Sequence, residues 1–104
     1  MPFQHVADLR QLPPDEGTVV ALGDLRVALF VLDGEVVALD NVCPHAGGPL
    51  GLGDVEAGVV TCPLHGWQFD IRTGACLTVR GEAVPRYAVR VEGTAVHVDP
   101  GASG

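Results

Sequence analysis

The sequence predicts an all-β domain, with antiparallel strands closing a small sandwich or barrel, and three observations predict it. The 104 residues include 14 Gly and 8 Pro, more than a helical bundle tolerates. No stretch keeps apolar residues at helical spacing. Several short runs are instead β-branched and apolar, bounded by Gly and Asp turns.

Taken in order, residues 3–6 form an expected edge strand and residues 8–12 a single helical turn, stopped by Pro13-Pro14. Residues 18–22 and 26–32 read as strands joined by the turn Gly23-Asp24. Asp33-Gly34 is a strong two-residue hairpin signal, and residues 35–39 are the strand that follows it. Further on, Tyr87, Val89 and Val91 alternate with Arg86, Ala88 and Arg90, a period of two. Glu92-Gly93-Thr94 turns the chain into a strand over 95–99, and residues 100–104 are expected to fray. Between about Asn41 and Arg80 the pattern breaks, in the region richest in Gly, Pro, Cys and His. The expected organisation is one domain over 1–104: a base made of 1–40 and 81–104, with an inserted subdomain over about 41–80 carried on that scaffold.

The chain carries thirteen acidic residues against six Arg and no Lys, a formal charge of −7. Such a surface repels phosphate backbones, so nucleic acid is not an expected partner. A cationic protein surface is, with docking that weakens as salt rises; the alternative is that the acidity only maintains solubility. No run approaches the roughly 18 apolar residues of a membrane helix. The start, MPFQHVADLR, lacks the features of a signal peptide. The expected location is cytoplasmic, and an odd count of three Cys suits thiols that are free or metal-bound in a reducing compartment.

The chemistry concentrates in residues 43–67, CPHAGGPLGLGDVEAGVVTCPLHGW. Cys43 and His45 are separated by one residue, Cys62 and His65 by two. Two thiolates and two imidazoles can ligate a tetrahedral Zn²⁺, but structural Zn sites usually present a Cys pair and then a His pair. Here each loop supplies one of each, an order that suits a two-metal centre in which one iron takes both Cys and the other both His. Chance turn chemistry is the third reading, since Pro and Gly punctuate loops in any protein.

Cys43-Pro44-His45 and Cys62-Pro63-Leu64-His65-Gly66-Trp67 resemble the Cys-x-His…Cys-x₂-His motif of Rieske [2Fe–2S] proteins. The flanks Asn41-Val42 and Gln68-Phe69-Asp70-Ile71-Arg72-Thr73-Gly74 resemble those of Rieske ferredoxins, so the likeness covers roughly residues 20 to 98. The resemblance implies a Rieske fold and one [2Fe–2S] cluster per chain, with Cys43 and Cys62 on the inner iron and His45 and His65 on the outer, surface-facing iron. Pro44 and Pro63 would stiffen the loops, and Gly47, Gly48 and Gly66 would let backbone N–H groups approach the sulfides. High-potential members of the family carry an extra Cys in each loop, joined as a disulfide, and hydroxyl groups after the second His. Gly48, Leu64, Trp67 and Phe69 stand at those positions here, so the resemblance implies a low-potential cluster within the roughly −150 to +300 mV span of such centres.

The implied function is one-electron transfer from a flavoprotein reductase to an oxygenase or similar acceptor, by a monomer docking through the exposed His end of the cluster. The alternatives are a Rieske-like small subunit of an NAD(P)H nitrite reductase and, further off, a Zn-stabilised binding module. No catalytic machinery is expected: the chain has no Gly-x-Gly-x-x-Gly nucleotide loop and no room for a second, mononuclear-iron domain. The family's covering loop, often Gly-Pro-Ala, corresponds to residues 80–85, where Glu82 departs from the pattern and Pro85 closes the segment. Cys76 reads as a small buried hydrophobe in a strand, His5 and His97 as surface residues. Trp67 reads either as a shield over the cluster or as ordinary core.

Overall fold

The computed structural model describes residues 3–44, 47–64 and 66–103. Among the described residues nine strands are formed: β1 (Gln4–Asp8), β2 (Gly17–Leu22), β3 (Leu25–Leu32), β4 (Glu35–Asp40), β5 (Asp54–Glu56), β6 (Val59–Thr61), β7 (Gln68–Asp70), β8 (Arg86–Glu92) and β9 (Ala95–Ser103). The expected helical turn is a single 3₁₀ turn, Leu9–Gln11, capped by Asp8: its carboxylate accepts the Arg10 N–H, while the Gln11 amide oxygen accepts the Asp8 N–H.

Six strands form one antiparallel sheet in the order β1-β9-β8-β4-β3-β2, and the outer strands β1 and β2 return to contact each other, so the sheet nearly closes into a barrel. The other three make a small sheet, β5-β6-β7, from residues 54–70. Two-residue turns set the registers: Leu22 pairs with Leu25, Leu32 with Glu35, Glu56 with Val59 and Glu92 with Ala95. Asp33 (φ 51°) and Ala57 (φ 52°) adopt the left-handed conformation ahead of Gly34 and Gly58, the geometry of a type I′ hairpin.

Residues 27–32 of β3 and 36–39 of β4 read as unbroken apolar runs because both faces are buried there. Val27, Leu29, Val36 and Ala38 face the inside of the barrel with Val96 and Val98. Ala28, Phe30, Leu32, Val37 and Leu39 face the other way, into a second core shared with Cys43, Leu50, Val60, Cys62, Phe69 and Ile71. That second core joins the large sheet to the small one, and both candidate thiols lie in it.

Three expectations are corrected. Residues 100–103 do not fray: β9 runs to Ser103, which pairs with Tyr87, and residues 100–102 form a bulge between that pair and the Asp99–Ala88 pair, while Gly104 lies outside the described residues. The Asp99 carboxylate accepts the Gly101 N–H and stiffens this bulge. Cys76 is not in a strand but in an isolated bridge to Phe69; Gly74 breaks the run with a turn whose N–H reaches the Asp70 carbonyl at 2.7 Å. His97 is half-buried, paired across the strands with His5 and edge-on to its ring at 5.5 Å. His5 is exposed as expected.

Candidate metal centre

Both Cys loops follow one backbone plan. In the first, the Cys43 N–H donates to the Gly48 carbonyl at 3.0 Å; in the second, the Cys62 N–H donates to the Trp67 carbonyl at 2.8 Å. Each Cys amide thus closes on the carbonyl five residues ahead. The fourth residue after each Cys is a glycine in the left-handed region, Gly47 at φ 73° and Gly66 at φ 74°. A side chain there would be strained, so both positions require Gly for conformation.

The two loops bring their thiols together. Cys43 and Cys62 are each 1% exposed and free of disulfides. Burial pushes the Cys62 thiol up, the Leu64 backbone N–H that reaches its sulfur pulls it down, and the adjacent Cys43 side chain pushes it up again. Burial beside a second thiol thus disfavours the Cys62 thiolate unless a cation joins it. No Arg lies anywhere between Asn41 and Ile71 to supply that charge.

Gly48 is needed for space. A Cβ at that position would stand 2.7 Å from the Cys62 sulfur and 3.1 Å from the Leu64 Cβ. Positions 48 and 64 are therefore neighbours, even closer at Cβ than disulfide pairs usually stand. Gly48 and Leu64 leave only a van der Waals contact there.

Residues 40 and 41 hold the first loop. The Asp40 carboxylate accepts the Val42 N–H at 2.8 Å and the Tyr87 hydroxyl at 3.0 Å. The buried Asn41 side chain accepts the Gly51 N–H at 2.7 Å, and its carbonyl accepts the Leu50 N–H at 2.7 Å. The second loop is instead the connection between β6 and β7, which the ladder of the small sheet fixes. Thr78 adds one exposed bond by accepting the Gln68 N–H.

The third segment, 80–85, lies along residues 74–76. Ala75 bridges Ala83, the Cys76 N–H donates to the Glu82 carbonyl, and Val84 is buried in the shared core. The Glu82 side chain is exposed, as is Pro85, whose carbonyl accepts the Asp40 N–H. Cys76 is buried and accepts the Val79 N–H at 3.3 Å. Trp67 is half-buried and packs on the core that contains both candidate thiols. Phe69 is fully buried. His45 and His65, the other two expected ligands, lie outside the described residues. Asn41 stood in the sequence only as part of a motif flank, and Asp40 and Tyr87 had no sequence signal as site residues at all.

Among the described residues no group of three metal-ligating side chains assembles. The donors present are soft, paired and buried, and Gly48 leaves room beside one of them. Soft thiolate donors suit an iron–sulfur cluster. A family model for the Rieske [2Fe–2S] domain matches residues 2–90. The chain belongs to this family.

Relatives and solved structures agree on the fold. The chain is 34% identical to the biphenyl dioxygenase ferredoxin subunit of a Pseudomonas species, covering 95% of this chain and 93% of that one. The ferredoxin of carbazole 1,9a-dioxygenase from Nocardioides aromaticivorans superposes with a TM-score of 0.88 at 34% identity, covering 96% of this chain and 99% of the other. A Mycobacterium tuberculosis chain assigned as an NADH-dependent nitrite reductase small subunit superposes with a TM-score of 0.84 at 31% identity, covering 93% of each. The cofactor of this Rieske chain is a [2Fe–2S] cluster, and the two converging thiols fit the thiolate half of its ligand set.

Proposed function

We propose that this Rieske chain is a one-electron carrier rather than a catalyst, taking electrons from a flavoprotein reductase and passing them to an oxygenase or similar acceptor. The observation that carries the reading is the meeting of two buried thiols on two equivalent loops, in a family whose cofactor is a [2Fe–2S] cluster. Cys43 and Cys62 hold one iron; His45 and His65 hold the other. Residues 41–80 act as the cluster-binding subdomain on a base of 1–40 and 81–104. The cluster supplies a site that gains and loses one electron.

The protein's own residues set the environment. Trp67 and Phe69 offer no hydroxyl donor to the cluster, and Gly48 with Leu64 offers no disulfide, which supports a low potential. Docking through the His end is supported by surface chemistry. Val42 is 51% and Leu64 44% exposed beside exposed Pro44 and Pro63. Residues 41–53 and 57–69 carry no Asp, Glu, Lys or Arg, so the acidic surface lies elsewhere. No helix among the described residues is long and apolar enough to cross a membrane.

Purified protein should carry iron and acid-labile sulfide in equal amounts, show a Rieske-type electron paramagnetic resonance spectrum once reduced, and give a low midpoint in protein-film voltammetry. Zinc without sulfide would overturn the reading in favour of a Zn-stabilised module. Likeness to the nitrite reductase small subunit gives a second reading. Size-exclusion chromatography of native extract separates the two: a carrier elutes alone, a subunit with its enzyme.

A further inference from the structure

We propose that Asp40 is a positioning residue for the first Cys loop and a fixed negative charge that holds the midpoint of the site down. The inference rests on the one-electron reading above. Asp40 ends β4, and three separate segments meet on it. One carboxylate oxygen accepts the Val42 N–H at 2.8 Å, directly before Cys43. The other accepts the Tyr87 hydroxyl at 3.0 Å, from the start of β8. Its own N–H donates to the Pro85 carbonyl at 2.9 Å, at the end of the third segment. Through its side chain and its own N–H, this one residue therefore ties the loop that bears Cys43 to the strand and the segment that close the structure behind it.

The charge on this residue is solvated but not cancelled. Among the described residues no Arg or His forms an ion pair with it. Tyr87 stays a hydroxyl donor across the physiological range, because burial and then Asp40 itself push its pKa up to about 12. A fixed anion disfavours a second negative charge arriving nearby, by an energy that grows as distance and local dielectric fall. Adding an electron to the site is such an arrival. The Val42 N–H and the Tyr87 hydroxyl each hold one of its oxygens and keep the carboxylate from swinging away, so its effect is constant.

The test uses the holoprotein with Asp40→Asn and Tyr87→Phe, each assayed by protein-film voltammetry, electron paramagnetic resonance and thermal unfolding. Asparagine keeps an oxygen for the Val42 N–H but removes the charge, so the midpoint should rise with the spectrum unchanged. Phenylalanine removes a donor from the carboxylate and leaves the charge less screened, so the midpoint should fall. Opposite shifts are the signature of charge, since loosening the same anchor would move both variants the same way. An unmoved midpoint in Asp40→Asn, or shifts of one sign in both, overturns the proposal. Should Asp40→Asn fail to assemble, a rise in Tyr87→Phe alone overturns it. Wild-type protein lacking iron and sulfide would instead be a failure of the one-electron reading.

Discussion

The two Cys loops share a backbone plan but hang from different supports. The loop after Cys43 is fastened to the large sheet by side chains, through Asp40 and the buried Asn41. The loop after Cys62 is fastened by strand pairing, as the connection between β6 and β7, with Thr78 contributing one exposed bond. Ladder bonds use groups that every residue carries, so they survive substitution. A buried side-chain acceptor has no substitute once removed, and its donors are left unsatisfied. The difference teaches that two loops of one backbone plan can be unequally vulnerable to substitution.

The largest expected effect falls on both loops alike. Cys43→Ala or Cys62→Ala should abolish bound iron and sulfide, measured by metal analysis and visible absorption, because each removes a thiolate no neighbour can replace. Gly48→Ala comes next, since its new methyl would collide with the Cys62 sulfur across the gap between the loops. Overpacking of this kind costs about 1–3 kcal/mol, read as a lower denaturant midpoint together with poorer cluster retention.

A direct test of the asymmetry compares Asn41→Ala with Thr78→Ala. The first strands the buried Gly51 N–H and should cost about 1–3 kcal/mol; the second releases an exposed N–H to water and should cost about 0.5 kcal/mol. Equal losses in chemical denaturation would erase the distinction drawn between the loops.

The smallest effect is the alkaline behaviour of Tyr87. Its pKa is raised from 10.0 to about 12 by burial first and by the Asp40 contact second, so the folded state holds this proton more tightly than the unfolded one. That contribution to stability is complete below about pH 10 and is lost as pH rises toward 12. Tyr87→Phe should lack the loss, so the stability gap between wild type and variant should narrow over this window in denaturant titrations.

Legibility from sequence followed the range of the interactions involved. β3, β4 and their turns were readable because the apolar runs and Asp33-Gly34 are local signals. Cys43 and Cys62 stood out as candidates because metal-ligand chemistry restricts residue type and spacing, and the fold brings the two buried thiols side by side. β5, β6 and β7 were missed because three residues are too few to show a period, and because the turn between β5 and β6 places Ala57, not Asn or Asp, in the left-handed region. Asp40 and Tyr87 were missed because 47 positions separate them and either could serve as an ordinary solvated side chain. The end of β9 was misjudged because Pro100 and Gly101 signal a loop, and they do form a bulge, but Ser103 re-enters the pairing beyond it.

The pairing of β4 with β8 also bears on how the chain reaches this state. The ladder between those strands pairs Ala38 with Tyr87 and Leu39 with Arg86, and it closes a loop of about fifty residues that contains both Cys segments and the small sheet. Closing a loop that long has an entropic cost that grows slowly with length and must be met before distant contacts compensate it. The β2–β3–β4 meander and the β8–β9 hairpin can form from near neighbours, so the closing step comes late. Until it does, the chain holding Cys43 and Cys62 is an open segment, and two thiols that end up 1% exposed are still in contact with water.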